Sequence, residues 1–292
     1  MGGVRSLTCA ALFTRRLGLR LGLRLLGLVT RVGTKQMSFC VLAQFKNESH
    51  ILDEWISHYK WQGASAFFLI NNDSTDDFES LECMKSVKLY HKAGIGKQPD
   101  NYNFVCSQGV FKPYDFVLVV DLDEFVFGLH NRTISQYLSL VPQDVSRIFV
   151  HWSMFGSSGF IEQPKEVRTN FTWRESKNHE LYKCFIRVKN IKRIEVHDSS
   201  ITTGNTIYAD DALQLNHYAI QSWDFFSKVK MTRGDAAHPA NHFTQSIRDE
   251  AYFKAYDKLA EVEDLTLLNL VTGLATGLAS SDADLSTVRR SA

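Results

Sequence analysis

Three carboxylates within four residues, Asp121-Leu-Asp-Glu124, are the side chains of this sequence best placed to do chemistry. They directly follow Phe116–Val120, an unbroken apolar run typical of a strand buried on both faces of a parallel sheet. Ligands of open α/β sheets bind just beyond the carboxyl ends of such strands. Clustered acids repel one another unless a cation lies between them, and Mg²⁺ and Mn²⁺ prefer oxygen ligands. The spacing therefore predicts a metal–nucleotide site at Asp121 and Asp123.

The same triplet has a simpler interpretation. A D-x-D sequence also occurs in solvated turns, where an Asp caps the helix that follows. The abrupt end of a buried strand favours the metal site, and the choice between the two depends on the rest of the chain.

Length, charge and cysteine content limit the classes of protein to consider. The chain has 292 residues, enough for one large α/β domain or two small ones, and its net charge of +1 gives no general argument for a nucleic-acid partner. Its five cysteines form no C-x-x-C pair, which argues against a structural zinc site. One disulfide, for example between Cys83 and Cys106, remains open.

Residues 1–36 differ from the rest of the chain. They are rich in Leu and Arg and contain no acidic residue. Arg20 and Arg24 interrupt the apolar run, which disfavours a membrane-spanning helix. The composition is typical of a targeting-like or disordered segment, through which membrane association is possible. Golgi or secretory, organellar and cytoplasmic placements all stay open.

Hydrophobic periodicity predicts alternating strands and helices in the first half. The predicted strands are Phe39–Phe45, Phe67–Ile70, Val87–Tyr90, the acidic strand from Phe116, Arg147–Trp152, Lys183–Val188, Ile194–His197 and Ala212–His217. The predicted helices start at Ile51 and stop at Gly63, then cover about 78–84, about 104–111, Ile134–Leu140, Ser222–Arg233, Ile247–Leu259 and Leu265–Leu274. The initial strand–helix–strand order indicates an α/β fold with a parallel sheet.

Several segments together resemble a known enzyme family. The segments Lys46-Asn-Glu48, Asn71-Asn-Asp-Ser-Thr-Asp76 and Val120-Asp-Leu-Asp-Glu-Phe125 resemble the family 2-like glycosyltransferases. A further set of residues resembles, more narrowly, glycosyltransferase family 92. These residues are Trp152, Phe155-Gly-Ser-Ser-Gly159, Lys183, His197, Leu215-Asn-His-Tyr218, Ser222 and Lys228. The resemblance implies a GT-A fold over residues 37–260: a Rossmann-like, mostly parallel central sheet flanked by helices, with a smaller mixed C-terminal acceptor-side portion. Residues 261–292 would be a C-terminal helix and a disordered tail.

The resemblance also assigns roles to residues. The nucleotide-sugar donor would be contacted by Lys46, Asn47, Glu48, Asn72, Asp73, Asp76, Leu122 and Lys228. Mn²⁺ or Mg²⁺ would be held by Asp121, Asp123 and His217, with His197 as the second candidate for the third ligand. The segment Phe155–Gly159 would form the acceptor side. Three alternatives stay open: Asn72–Thr75 only closes a βα loop, Phe155–Gly159 is a turn between strands, and Lys228 is a solvated helix residue.

The implied reaction is transfer of a hexose, with galactose favoured, from a UDP-sugar to a glycan hydroxyl with inversion. Glu124, Asp210 and Asp211 are the candidate bases. One alternative is an inactive sugar- or nucleotide-binding module. Another is a metal-dependent phosphohydrolase, which Phe125 disfavours because that pattern requires Thr or Val at this position.

Overall fold

The computed structural model describes residues 36–94, 96–233 and 248–273. The targeting-like segment predicted at 1–36 therefore lies outside the described residues except for Gln36, as does the predicted disordered tail. Among the helices described, none is long and apolar enough to cross a membrane.

Thirteen strands are assigned in the described part of the chain. They are β1 Phe39–Phe45, β2 Ala66–Asn71, β3 Lys88–His91, β4 Phe116–Val119, β5 Glu124–Gly128, β6 Val145–Met154, β7 Trp173–Arg174, β8 Tyr182–Arg187, β9 Ile191–Arg193, β10 Ser200–Ile201, β11 Asn205–Tyr208, β12 Leu213–His217 and β13 Val262–Glu263. Nine of them form one sheet in the order β3-β2-β1-β4-β8-β6-β12-β5, with β11 beside β6. The remaining four form two-stranded ribbons, β9 with β10 and β7 with β13.

Helices of very different lengths connect these strands. They are α1 Ser49–Trp61, α2 Gln98–Ser107, α3 Ile134–Leu138, α4 Trp223–Phe225, α5 Met231–Arg233, α6 Glu250–Leu259 and α7 Thr266–Thr272. A π-helical turn, Phe226–Lys230, joins α4 to α5. Three 3₁₀ turns cover Phe78–Ser80, Glu82–Ser86 and Val188–Asn190. The short helix predicted near 78–84 is thus two 3₁₀ turns.

The large sheet is mixed but mostly parallel. Five of its eight described pairings are parallel, among them β1 with β2, β2 with β3 and β1 with β4. Alternate residues of β1 belong to two different cores: Phe39, Val41 and Ala43 face one, and Cys40 and Leu42 the other. The α/β class and the mostly parallel central sheet expected of a GT-A fold are confirmed. The antiparallel contacts involve β4, β5, β6, β8 and β12, so they are not confined to the second half of the chain.

The predictions for the segments on either side of the acidic strand are wrong. The helix predicted at about 104–111 instead begins at Gln98, because Pro99 fits the first helical turn, where its missing N–H costs nothing. After the acids, Phe125–Phe127 are fully buried and form β5 rather than a capped helix.

The strand predicted at Ile194–His197 is also wrong. The backbone N–H and carbonyl of Ile194 both bond the side-chain amide of Asn103, at 3.0 Å and 2.7 Å. A side chain therefore supplies the hydrogen bonds that a neighbouring strand would have given, and the ladder ends at Arg193.

The C-terminal segment packs with the rest of the described residues. Val262–Glu263 pairs with β7, and Leu267 is buried in the larger core. The helix expected at Leu265–Leu274 is observed as α7.

The cysteines of the described residues are all free thiols. Cys40, Cys83, Cys106 and Cys184 form no disulfide, so the bridge considered between Cys83 and Cys106 is not present.

His58 makes the stability of this fold dependent on pH. It is fully buried in α1, with Nε2 2.7 Å from the Val126 carbonyl and Nδ1 3.4 Å from Arg168. Burial, reinforced by Arg168, lowers its pKa to about 3. Between about pH 6.5 and 3 the unfolded chain therefore binds a proton that the native state excludes, so stability falls as the pH drops through this window, by about 1.4 kcal/mol per pH unit.

Urea unfolding of wild type and His58→Gln at pH 7 and pH 5 measures this effect. We expect the wild type to lose about 2 kcal/mol more than His58→Gln between the two pH values. His130→Gln, at an exposed position, is the matched control and keeps the wild-type pH dependence. Equal pH dependence in wild type and His58→Gln would contradict this assignment.

Candidate active site

The acidic triplet forms a closed turn between β4 and β5. The Asp121 N–H donates to Glu124 Oε2 at 2.8 Å, and the Glu124 N–H donates to the Asp121 carbonyl at 3.2 Å. Leu122 is buried in the larger core, so Asp121 and Asp123 flank a residue that anchors the turn from inside. A donor molecule would therefore contact Leu122 through its backbone, and the predicted role of Leu122 as a contact residue stays a prediction.

Each aspartate of the turn is paired with a buried lysine. Lys183 Nζ lies 2.7 Å from Asp121 Oδ2 and 3.5 Å from Glu124 Oε2. Lys230 Nζ bonds Asp123 Oδ2 and lies 3.6 Å from Glu48 Oε1. Both lysines are only 1% exposed. Two ammonium groups thus stand among four carboxylates at the end of β4.

The three carboxyls of the turn differ in their acidity. Burial alone would raise the pKa of Asp121 and Asp123. Lys183 reverses this effect at Asp121, and Lys230 and His217 reverse it at Asp123. Both aspartate pKa values therefore lie below the usual range. Burial raises the pKa of Glu124 to about 8. Neighbouring carboxyls with divergent pKa values are typical of functional sites.

Two histidines approach the turn from β12 and from the loop after β9. His217 Nε2 lies 3.6 Å from Asp123 Oδ1, and the ring packs 4.2 Å from that of Trp152. His197 is fixed by a 3.1 Å contact between Nδ1 and the Tyr182 carbonyl. Burial lowers the pKa of both, that of His197 to about 4, so both imidazoles are neutral at pH 7.

The loops that follow β1 and β2 form a single rim beside the turn. The Asn47 N–H donates to Ser74 Oγ at 3.0 Å, and Asn47 Oδ1 accepts the Thr75 N–H at 2.7 Å. Asp76 Oδ2 accepts the Ser49 N–H at 2.8 Å, at the start of α1. The side chains of Asn47 and Asp76 therefore hold the rim together.

Comparison with known proteins places this chain in a family. The model of glycosyltransferase family 92 matches residues 109–260, just over half of the chain. The chain belongs to glycosyltransferase family 92. The family predicted from the sequence is thereby confirmed.

Two relatives of this family 92 chain are longer than the chain itself. A family 92 protein of Arabidopsis thaliana is 27% identical over 222 residues, covering 68% of this chain and 38% of the relative. One of Oryza sativa subsp. japonica is 27% identical over 206 residues, covering 66% and 35%. This chain thus spans little more than a third of the relatives that it matches.

Solved structures show only a distant likeness. Residues 1–349 of S. aureus TarS share 15% identity at a TM-score of 0.40, covering 65% of this chain and 63% of that one. Glucosyl-3-phosphoglycerate synthase of Mycobacterium tuberculosis, in complex with Mn²⁺, UDP and glucosyl-3-phosphoglycerate, shares 9% identity at a TM-score of 0.29, covering 52% and 57%. Likeness at this level carries no weight for function.

The residues at the acidic turn fit a divalent ion in chemical type. Carboxylate oxygens and a neutral imidazole suit Mn²⁺, and His217 has one buried nitrogen, Nδ1, without a hydrogen-bond partner among the described residues. As the side chains stand, however, no three His, Cys, Asp or Glu groups converge as ligands in the described ranges. A cation bound by Asp121, Asp123 and His217 would have to replace Lys183 and Lys230 as the partners of the two aspartates.

The remaining donor residues predicted for this family 92 chain are spread along the rim. Asn72 Nδ2 bonds the carbonyls of Lys92 and Gly94 at 2.7 Å and 2.9 Å, so its amide holds the loop after β3. Asp73 is exposed at the tip of the turn, Lys46 is half-buried, and Glu48 is buried beside Lys230. The bond that closes the turn itself comes from Asn71, whose Oδ1 accepts the Ser74 N–H at 2.8 Å, and Asp73 is exposed to solvent.

The structure places the three predicted bases in different environments. Glu124 is fully buried beneath the turn. Asp210 and Asp211 precede β12, whose first residue pairs with Gly128 and whose last, His217, pairs with Glu124. These two pairings lie about 13 Å apart along the strand, at about 3.3 Å per residue. The Asp210 carboxylate instead accepts the backbone N–H of His151 and contacts its ring, at 2.8 Å and 2.7 Å.

Lys230 is a buried residue at the acidic turn that sequence reasoning missed. The predicted Lys228 side chain is 69% exposed and pairs with Asp224 at 2.7 Å, so the solvated alternative describes it correctly. Lys230 lies two positions further along, inside the π-helical turn, and reaches Asp123. Two residues along a helix separate side chains by about 200°, which places the two lysines on opposite faces.

Proposed function

We propose that this chain transfers a hexosyl group from a UDP-sugar to a hydroxyl of a glycan acceptor. The observation that carries the proposal is the turn Asp121–Asp123, with its two buried lysines, at the end of β4 and beside the rim formed by the loops after β1 and β2. Ligands of α/β sheets bind at this edge. Membership of family 92 is the independent support.

Lys183 and Lys230 are the groups that we assign to the donor diphosphate. A buried ammonium that already binds a carboxylate can exchange it for a phosphate oxygen without losing a charged partner. Mn²⁺ or Mg²⁺ held by Asp121, Asp123 and His217 would neutralise the charge on the departing diphosphate. The lysines would then be released from the carboxylates and be available to the donor.

The finer features of the reaction rest on the family resemblance. In the proposal the sugar is galactose and its anomeric carbon is inverted. The acceptor oxygen forms a bond to that carbon, the bond to the diphosphate oxygen breaks, and the acceptor proton leaves to a base. UDP departs as the anion.

A donor screen tests the proposal. UDP release is measured for UDP-galactose, UDP-glucose and UDP-N-acetylglucosamine, each with a mixture of glycan acceptors and with Mn²⁺, Mg²⁺ or EDTA. We expect acceptor-dependent release from UDP-galactose that EDTA abolishes. Asp100→Asn, at an exposed position in α2, is the control and should match wild type.

Two outcomes would contradict different parts of the proposal. UDP release that continues in the presence of EDTA would exclude a role for the metal. Binding of UDP without turnover of any donor would favour the sugar- or nucleotide-binding module instead.

A further inference from the structure

One cavity of the described residues lies between the loop 155–159 and helix α6. It has a volume of about 260 Å³ and is lined by Ser158, Gly159, Trp173, Asp257 and Ala260. This is below the roughly 300–1,000 Å³ of pockets for drug-sized ligands, a size that suits one small ring.

The loop 155–159 connects this cavity to the acidic turn. The Phe155 N–H donates to the carbonyl of His217 at 3.0 Å, so the loop starts beside the residue that faces Asp123. From Phe155 to Ser158 the chain covers three residues, which span at most about 11 Å even when extended. One glycan chain could therefore reach from the acidic turn into the cavity.

Helix α6 forms the opposite wall. Asp257 Oδ1 accepts the Ser157 N–H at 2.7 Å, fixing the loop to the helix. A Cβ atom at Gly156 would lie 2.6 Å from that of Ala260, so only glycine permits this close approach. The second carboxylate oxygen of Asp257 has no hydrogen bond within the described residues and can accept one.

Trp173 is exposed although its backbone is held firmly. Its carbonyl accepts the Gly156 N–H at 2.9 Å, its own N–H donates to Ser158 Oγ at 3.2 Å, and it pairs with Glu263 in the β7–β13 ribbon. Even so, 42% of the residue is solvent-accessible. A large aromatic side chain exposed at a cavity on a fixed backbone is suited to contact a ligand, because only its two side-chain torsions remain to be ordered.

We infer that this cavity is a subsite for one sugar ring of the glycan acceptor, an inference that rests on the proposed function. The indole face stacks on the C–H face of a pyranose, and the free oxygen of Asp257 accepts a sugar hydroxyl. Asp257 is the one charged residue of the lining described above, and its negative charge disfavours a phosphate or a uronic acid. The acceptor ring in this position is therefore not anionic.

Oligosaccharide binding tests the subsite without requiring turnover. Cellotetraose, mannotetraose and β-1,4-galactotetraose are titrated separately into wild type, Trp173→Ala, Trp173→Phe and Asp257→Asn, followed by isothermal calorimetry. We expect wild type to bind at least one of them, Trp173→Ala to bind it at least tenfold more weakly, and Trp173→Phe to stay within about threefold because the ring is retained. Asp257→Asn, which retains the acceptor for Ser157, should weaken binding about threefold to tenfold.

Trp61→Ala is the matched control. Trp61 is 41% exposed at the end of α1, away from the loop 155–159, and its loss should leave oligosaccharide binding unchanged. UDP is titrated into every sample, and its affinity should be the same in all of them. Turnover adds a second readout: in Trp173→Ala the KM for the acceptor rises while the KM for the donor does not.

Three results separate failure of the subsite from failure of the proposed function. Equal oligosaccharide affinity in Trp173→Ala and Trp61→Ala would overturn the subsite, as would no binding of any of the three probes to wild type that binds UDP. If wild type does not bind UDP either, the proposed function itself fails.

Discussion

Asp123→Asn is expected to lower kcat/KM for the UDP-sugar by about 10²–10³-fold, the usual cost of removing one charge-stabilising group from an active site. The side chain keeps its shape but loses the negative charge that faces both Lys230 and His217. Lys230 retains Glu48 at 3.6 Å, so the ammonium is not left alone and the fold should persist. Acceptor-dependent UDP release, with thermal unfolding as a check on folding, measures the effect.

Two comparisons make this result specific. Asp100→Asn removes a carboxylate of the same type from the surface and should leave kcat/KM unchanged. Adding Mn²⁺ up to millimolar concentration should restore part of the activity of Asp123→Asn if the defect includes weaker cation binding. A folded Asp123→Asn protein with wild-type kcat/KM would exclude the acidic turn as the reaction site.

Lys183→Met is expected to destabilise the protein by about 3–5 kcal/mol, the cost of breaking a buried ion pair from one side. The methionine fills the space of the lysine stem but leaves Asp121 and Glu124 without the ammonium group that they share. Of these two carboxyls, Glu124 is fully buried. Binding of UDP should fall at least tenfold, because a cation assigned to the diphosphate is lost. Urea unfolding and calorimetric titration with UDP measure the two effects separately.

A double variant distinguishes stability from binding. Lys183→Met with Glu124→Gln replaces the buried carboxyl, whose pKa is already raised to about 8, by a neutral amide. It should recover part of the lost stability but none of the UDP affinity. Lys85→Met, at an exposed i,i+3 pair, should change stability by less than about 0.5 kcal/mol and leave UDP binding intact. Recovery of both properties in the double variant would show that Lys183 is purely structural.

Local patterns predicted the framework of the sheet correctly. β1 has the predicted bounds, β2 is one residue longer than predicted at each end, and β12 begins one residue later than predicted, because buried strands carry their own apolar signature. The parallel order of the first three strands followed from the helices between them. The predictions failed where a side chain or an unusual helical turn replaced the regular pattern, at Ile194 and at Lys230.

The candidate bases show the limit of closeness in sequence. Asp210 and Asp211 lie only a few residues before His217, but the chain between them includes the extended strand β12, which covers about 13 Å. The direction of β12 relative to β5 sets which end of the strand meets the acidic turn, and nothing near Asp210 in the sequence encodes that direction.

The sequence by itself determined that a buried strand ends in a cluster of acids, that the chain has an α/β order of elements, and which family it belongs to. The tertiary structure alone decided which charges meet: Lys183 with Asp121 across 62 positions and Lys230 with Asp123 across 107. It likewise brought Trp173 to the same cavity as Asp257. The physical reason is that periodicity reports how a segment is buried, whereas the partner of a buried charge is fixed by the packing of distant segments.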